Sequence, residues 1–233
     1  MDGAAAADAY LAWWALAGVD SAVGDAPVNW LRPSPLRDTV AALPRPAIQI
    51  PQRPADIKSF RVWLADSPVQ PEGNWNGPPV LPAGPVDAPL MIVTDLPEEA
   101  DMKSGALFSG GAGALLDAIL RAMGIDRASV HTASLALARP PGGIITEPDG
   151  VLLAERMRAY IALVRPRRLL VLGDRTARAL LPDDGGNDLR DFNHGGGNVP
   201  AVATFHPRLL LQQPAAKAEC WRLLQILIED MPS

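Results

Sequence analysis

From Leu90 onward the chain alternates short, wholly apolar runs with longer amphipathic ones, and few folds accept that order. Residues 90–94 read as an apolar strand, 112–123 as an amphipathic helix closed by Gly124, and 129–137 as a second strand. Residues 152–164 follow as a helix, 168–172 (RLLVL) as a buried strand, 175–181 as a helix, 199–204 as a strand and 213–230 as a last helix. Strands apolar on both faces and separated by helices imply a parallel sheet covered on both sides. The expected fold is therefore a three-layer α/β/α domain over residues 90–233, with a central, mainly parallel four-stranded sheet. In open sheets of this kind ligands meet the carboxyl ends of the strands, so the candidate site lies just after Val93, Leu137, Leu172 and Thr204.

The first 89 residues follow another rule. Residues 4–17 are rich in Ala and free of Gly and Pro, and Tyr10, Trp13, Trp14 and Ala17 form one stripe, which predicts a docking helix ended by Gly18. Between residues 27 and 89 stand 14 of the 24 prolines, so long regular elements are excluded there except for one short helix at 56–65. Ile48, Ile50, Phe60, Trp63 and Trp75 favour an arm packed on the domain over a free linker, because disordered linkers seldom carry so many large apolar groups. Residues 1–89 are thus expected to be a helix and arm packed on the domain formed by 90–233.

Composition narrows the function. The net charge of −5 excludes a protein that coats nucleic acid by charge alone, but leaves room for a local basic groove. The lone Cys220 excludes an internal disulfide and any site built on several thiolates, in keeping with a reducing compartment. No apolar run approaches the roughly 20 residues needed to span a bilayer, and residues 1–9 hold two Asp and no Lys or Arg, so a cytoplasmic protein is expected. No Walker motif, paired-His metal site or Gly-x-Ser-x-Gly elbow occurs.

Four segments, three of them at expected strand exits, share one likeness: TDLPE at 94–98, GALFSGGAG at 105–113, SLALARPP at 134–141 and TFHPRLL at 204–210. In order and spacing the chain resembles the bacterial iron–sulfur, thermophile-type branch of the uracil-DNA glycosylase superfamily. Supporting stretches are LLDAILRAMGIDR at 115–127, IALVRPRRLLVLG at 161–173 and QPAAKAECW at 213–221. The resemblance implies a DNA base-excision repair function: hydrolysis of the N-glycosidic bond of a deaminated base by a monofunctional glycosylase.

It also implies roles. Phe108 stands where the family stacks a ring on the extruded base, although a core-packing Phe would read the same way. His206 stands where a His donates to the base carbonyl; a turn residue bonded to backbone is the other reading. Asp95 aligns with a water-positioning Glu, or is a cap in its DLPEE context. Ser134 occupies the position of an Asn that reads the base edge, and one hydroxyl cannot supply that amide's donor and acceptor pair. Pro207, Arg208 and Leu209 fall in the loop that presses into DNA. Glu98 replaces a family Gly, and with Glu99 and Asp101 beside it would repel phosphate.

The family's cluster cysteines fall at Ala138 and about Leu153, and its N-terminal pair is absent near Asp66 and Ser67, so no metal or cofactor is expected. His194 in its Gly-rich turn reads as a loop His, and His131 receives no role. The partners implied are DNA, single- or double-stranded, and a repair or replication protein, with the chain itself a monomer. Two readings stay open: a glycosylase with weak or altered activity, or a catalytically inactive DNA-binding or scaffold protein.

Overall fold

The computed structural model describes residues 10, 12, 13, 53–66, 68–75, 77–181, 189–194 and 197–229. The chain divides into two compact units, Met1–Ala47 and Ile48–Ser233. In the first, Tyr10, Ala12 and Trp13 are helical; the rest of the helix expected at 4–17 lies outside the described residues.

The second unit is built on strands β1 (Leu90–Thr94), β2 (Val130–Ser134), β3 (Leu169–Leu172), β4 (Arg190–Asn193) and β5 (Asn198–Thr204), in the order β2-β1-β3-β5-β4. The first four in that order pair in parallel, with Thr94 opposite Ser134 and Leu172 opposite Thr204. β4 pairs antiparallel with β5 as a fifth, edge strand. Four strands were expected. β4 escapes a periodicity test because only Phe192 of its four residues is buried. It is held by the return of the chain, Phe192 lying opposite Val199.

Helices cover both faces: α1 (Ile57–Asp66), α2 (Glu99–Ser104), α3 (Gly111–Ala122), α4 (Glu147–Val164), α5 (Asp174–Leu180), α6 (Pro207–Gln212) and α7 (Ala216–Glu229). Strand alternation divides the core. Met91 and Val93 of β1 pack with Phe60, Leu153, Tyr160 and Phe192 on one face, while Leu90 and Ile92 pack with Leu116, Leu120 and Leu224 on the other. Each such fully buried aliphatic side chain contributes about 1.5–3 kcal/mol. Among the described residues no helix is long and apolar enough to cross a membrane.

Several boundaries differ from expectation for local reasons. β2 stops at Ser134, because the following amides turn to the end of β1: Leu135 N–H donates to the Thr94 carbonyl and Ala136 N–H to that of Asp95, each at 2.9 Å. α4 begins five residues early, since the Thr146 hydroxyl accepts the Asp149 N–H and Pro148 suits the first turn. The expected DNA-pressing loop is helical: Pro207 opens α6 and the His206 side chain caps it. In the Pro-rich stretch, the Asp56 carboxylate accepts the Lys58 and Ser59 amides to start α1, and Phe60 meets Tyr160 of α4 at a ring distance of 5.6 Å.

Candidate active site

Beyond the carboxyl ends of β1, β3 and β5 the second unit opens a cleft of about 810 Å³. Asp95, Gly173, Thr176, Thr204, His206 and Leu209 line it, together with Arg175, Arg178, Arg190 and Arg208. The alternation of the chain predicts this place, since parallel strands end on one edge of the sheet. Four guanidiniums line the cleft against two carboxylates, Asp95 and Asp174, the latter paired with Arg178 at 2.7 Å, so the lining carries a positive excess on a chain whose net charge is −5.

His206 follows β5 and is the N-cap of α6: its Nδ1 accepts the Arg208 N–H at 3.1 Å. A ring nitrogen that accepts cannot carry the proton, so the neutral imidazole holds its hydrogen on Nε2. Burial lowers the pKa of His206, opposed by the Asp95 carboxylate and reinforced by Arg208. The result is a neutral N–H donor beside the cleft. The Phe108 ring lies nearly parallel to it, with centroids 6.0 Å apart and planes at 26°.

Phe108 sits at φ 58, a left-handed backbone that a bulky residue adopts only when its surroundings impose it. Two features impose it. The Phe108 carbonyl approaches α3 so closely that a Cβ on Gly113 would stand 1.7 Å from its oxygen. The buried Asp101 carboxylate accepts the N–H and hydroxyl of Ser109 at 2.8 and 2.9 Å, and the Glu98 N–H at 3.0 Å. The Arg127 guanidinium lies over the Phe108 ring, 5.6 Å from its centroid.

Asp95 reaches the cleft with its carboxylate engaged: Oδ1 accepts the Leu96 N–H at 2.9 Å, and Oδ2 stands 3.7 Å from Arg175 Nη1. Ser134 is buried, its hydroxyl has no hydrogen-bond partner among the described residues, and it lines a separate void of about 10 Å³ with Leu64, Tyr160 and Arg156. The structure thus brings Asp95, His206, Arg208 and Leu209 to the cleft with Phe108 against His206, while Pro207 is buried in α6 and Ser134 borders the smaller void.

The acidic trio does not form the repelling patch its sequence suggests. Asp101 is buried in the bonds just described, and Glu98 Oε1 lies 3.8 Å from His206 Nδ1 and 3.9 Å from Arg208 Nε, which leaves Glu99 exposed. Burial pushes the Glu98 carboxyl up, against the pull of Arg208.

The profile of the Uracil DNA glycosylase superfamily matches residues 81–225, more than half of the chain. The chain belongs to that superfamily. Within it, the chain is 29% identical over 143 residues to a type-4 uracil-DNA glycosylase of Pyrobaculum aerophilum, covering 56% of this chain and 71% of the relative. It is 27% identical over 157 residues to a type-4 uracil-DNA glycosylase of Thermotoga maritima, covering 65% of this chain and 79% of the relative.

Sequence reasoning about this superfamily member missed Arg175, Arg178 and Arg190, although GDRTAR directly after a buried strand was a usable signal. It also missed Asp101 as a tether, which no local pattern shows. The iron–sulfur cluster that the resemblance suggests does not fit the residues present. Ala138 and Leu153 are buried apolar groups 1% exposed, Cys220 packs in the opposite core with Leu223 and Leu224, and among the described residues no three His, Cys, Asp or Glu could hold a metal ion.

Proposed function

We propose that this chain is a uracil-DNA glycosylase-like protein of base-excision repair, which hydrolyses the N-glycosidic bond of a deaminated base extruded from DNA. The observation that carries the reading is the neutral imidazole of His206, its Nε2–H free to donate because Nδ1 accepts the Arg208 amide, set against the Phe108 ring. A flipped base stacks on Phe108, and negative charge developing on its carbonyl as the bond to the sugar breaks is met by the Nε2–H. Asp95 orients the attacking water, while Ser134 borders the separate void and is not among the residues that line the cleft. Arg208 and Leu209 press on the strand from which the base has left, with Arg208 meeting a phosphate, while the buried Pro207 opens the helix that carries them. With Ser134 where the resemblance places an Asn, no amide is supplied there to read the base edge, which relaxes selectivity for uracil.

The assay is base release from single- and double-stranded oligonucleotides containing uracil, hypoxanthine or xanthine, read as alkali-labile sites. Release that falls by about a hundredfold or more in His206→Ala and Asp95→Asn is the expected outcome. No release on any of these bases overturns the enzymatic reading.

A second reading is favoured by the carboxylate of Asp95, whose two oxygens already face the Leu96 amide and Arg175. In it the chain is a catalytically inactive DNA-binding or scaffold protein that docks a repair or replication partner. Filter binding of oligonucleotides at low salt without turnover, together with a specific partner in a pull-down, supports this reading. In both readings the protein acts as a cytoplasmic monomer on DNA.

A further inference from the structure

Close in sequence to Ala138 and Leu153, where the resemblance puts cluster cysteines, stands a buried ion pair. Arg156 of α4 is 3% exposed, and its guanidinium donates in four directions. Nη1 reaches Gln70 Oε1 at 2.6 Å and Glu72 Oε2 at 2.9 Å; Nη2 reaches Glu72 Oε1 at 2.6 Å and the Leu135 carbonyl at 2.7 Å. Glu72 Oε1 also accepts the Leu137 N–H at 2.8 Å. Gln70 and Glu72 belong to the Pro-rich arm, Leu135 and Leu137 to the exit of β2 just before Ala138, and Arg156 stands three residues after Leu153. The arm, the strand exit and the helix therefore meet on one bidentate ion pair.

We infer that Gln70, Glu72 and Arg156 form a metal-free clamp that anchors the arm to α4 and to the exit of β2, in the position the cluster holds in iron–sulfur relatives. The chemistry suits the task. A cluster ties distant segments together through covalent thiolate bonds, and a buried guanidinium with a fork of donors can tie three segments through charge-assisted hydrogen bonds. A pair buried this deeply costs desolvation, which only complete pairing offsets. Both oxygens of Glu72 and both terminal nitrogens of Arg156 are paired, while Gln70 Nε2 is a buried donor with no hydrogen-bond partner among the described residues. The clamp also sets the strand exit whose Ala136 N–H holds the Asp95 carbonyl. This anchoring does not depend on the glycosylase reading, and its test does not use activity.

The test combines metal analysis with a double-substitution cycle on the full chain. Protein purified without oxygen is assayed for iron and acid-labile sulfide, and amide hydrogen exchange is followed at Gly73 and Trp75 in the arm and at Leu170 in β3. The wild type is expected to carry neither element in stoichiometric amount. Glu72→Met and Arg156→Met each strand one buried charge, so the arm amides should exchange about tenfold or more faster while Leu170 stays protected. The double Met variant removes both charges and should return arm exchange to within a few-fold of wild type. Stoichiometric iron and sulfide, or single variants whose arm amides exchange like wild type, overturn the clamp. If the single variants do not fold, the double variant decides: its folding supports a paired clamp, and its failure alongside them counts against one.

Discussion

His206 does two things at once, and they depend on one proton. Its Nδ1 lone pair caps α6 through the Arg208 amide, and the same bond leaves the hydrogen on Nε2. Protonation would place a hydrogen on Nδ1 facing that amide, and so would cost the cap. Because burial lowers the His206 pKa below its ordinary 6.5, the unfolded chain takes up a proton where the folded one does not. Stability from this group is therefore full above the ordinary value and falls as pH drops through 6.5 toward the lowered value. The stability advantage of wild type over His206→Asn, which caps without titrating, should shrink between about pH 7 and pH 5 in urea unfolding. A constant difference across that range would refute the linkage. Removing Arg208 takes away a positive charge that also lowers this pKa, so Arg208→Gln should raise the lower edge of the window and leave its upper edge, set by the unfolded chain, in place.

At the scale of elements, the short α2 and the start of α3 act together to hold one ring. Asp101 of α2 accepts three hydrogen bonds from Glu98 and Ser109, and α3 admits the Phe108 carbonyl only because residue 113 has no side chain. Asp101→Ala leaves those donors without their acceptor and should destabilise by about 3 kcal/mol, whereas Glu99→Ala on the exposed side of the same helix should change little. Gly113→Ala should cost about 1–3 kcal/mol through overpacking against the Phe108 backbone. Denaturant unfolding of the three variants checks both, and a Gly113→Ala protein as stable as wild type would show that the Phe108 backbone is not constrained there. These junctions were the least readable part of the chain. Helix α2 spans six residues, too few for periodicity to register, and Asp101 and Ser109 meet across eight positions through a turn.

For the whole molecule, the distribution of charge matters more than its sum. The formal −5 predicts weak attraction to DNA, but Arg175, Arg178, Arg190 and Arg208 converge on the cleft. Binding to a single-stranded oligonucleotide should weaken steeply with salt, and Arg178→Gln should flatten the logarithmic slope by roughly 1 if that side chain meets a phosphate. A slope unchanged in both Arg175→Gln and Arg178→Gln would remove this edge of the cleft from the DNA path. The sequence by itself determined the layered α/β architecture, the parallel core strands and the edge of the sheet where the cleft opens, because these follow from periodicity and strand order, which are local and repetitive. The family resemblance also set out Asp95, Phe108, His206 and Arg208 as candidates, because each falls within a motif the superfamily shares. Only the tertiary structure decided which nitrogen of His206 carries the proton, that Ser134 borders a different void, and that β4 closes the sheet. Only it joined Gln70 and Glu72 to Arg156, more than 80 positions along the chain. Each of those depends on partners distant in sequence, where one hydrogen bond or one unit of charge decides the outcome and no pattern of neighbouring residues records it.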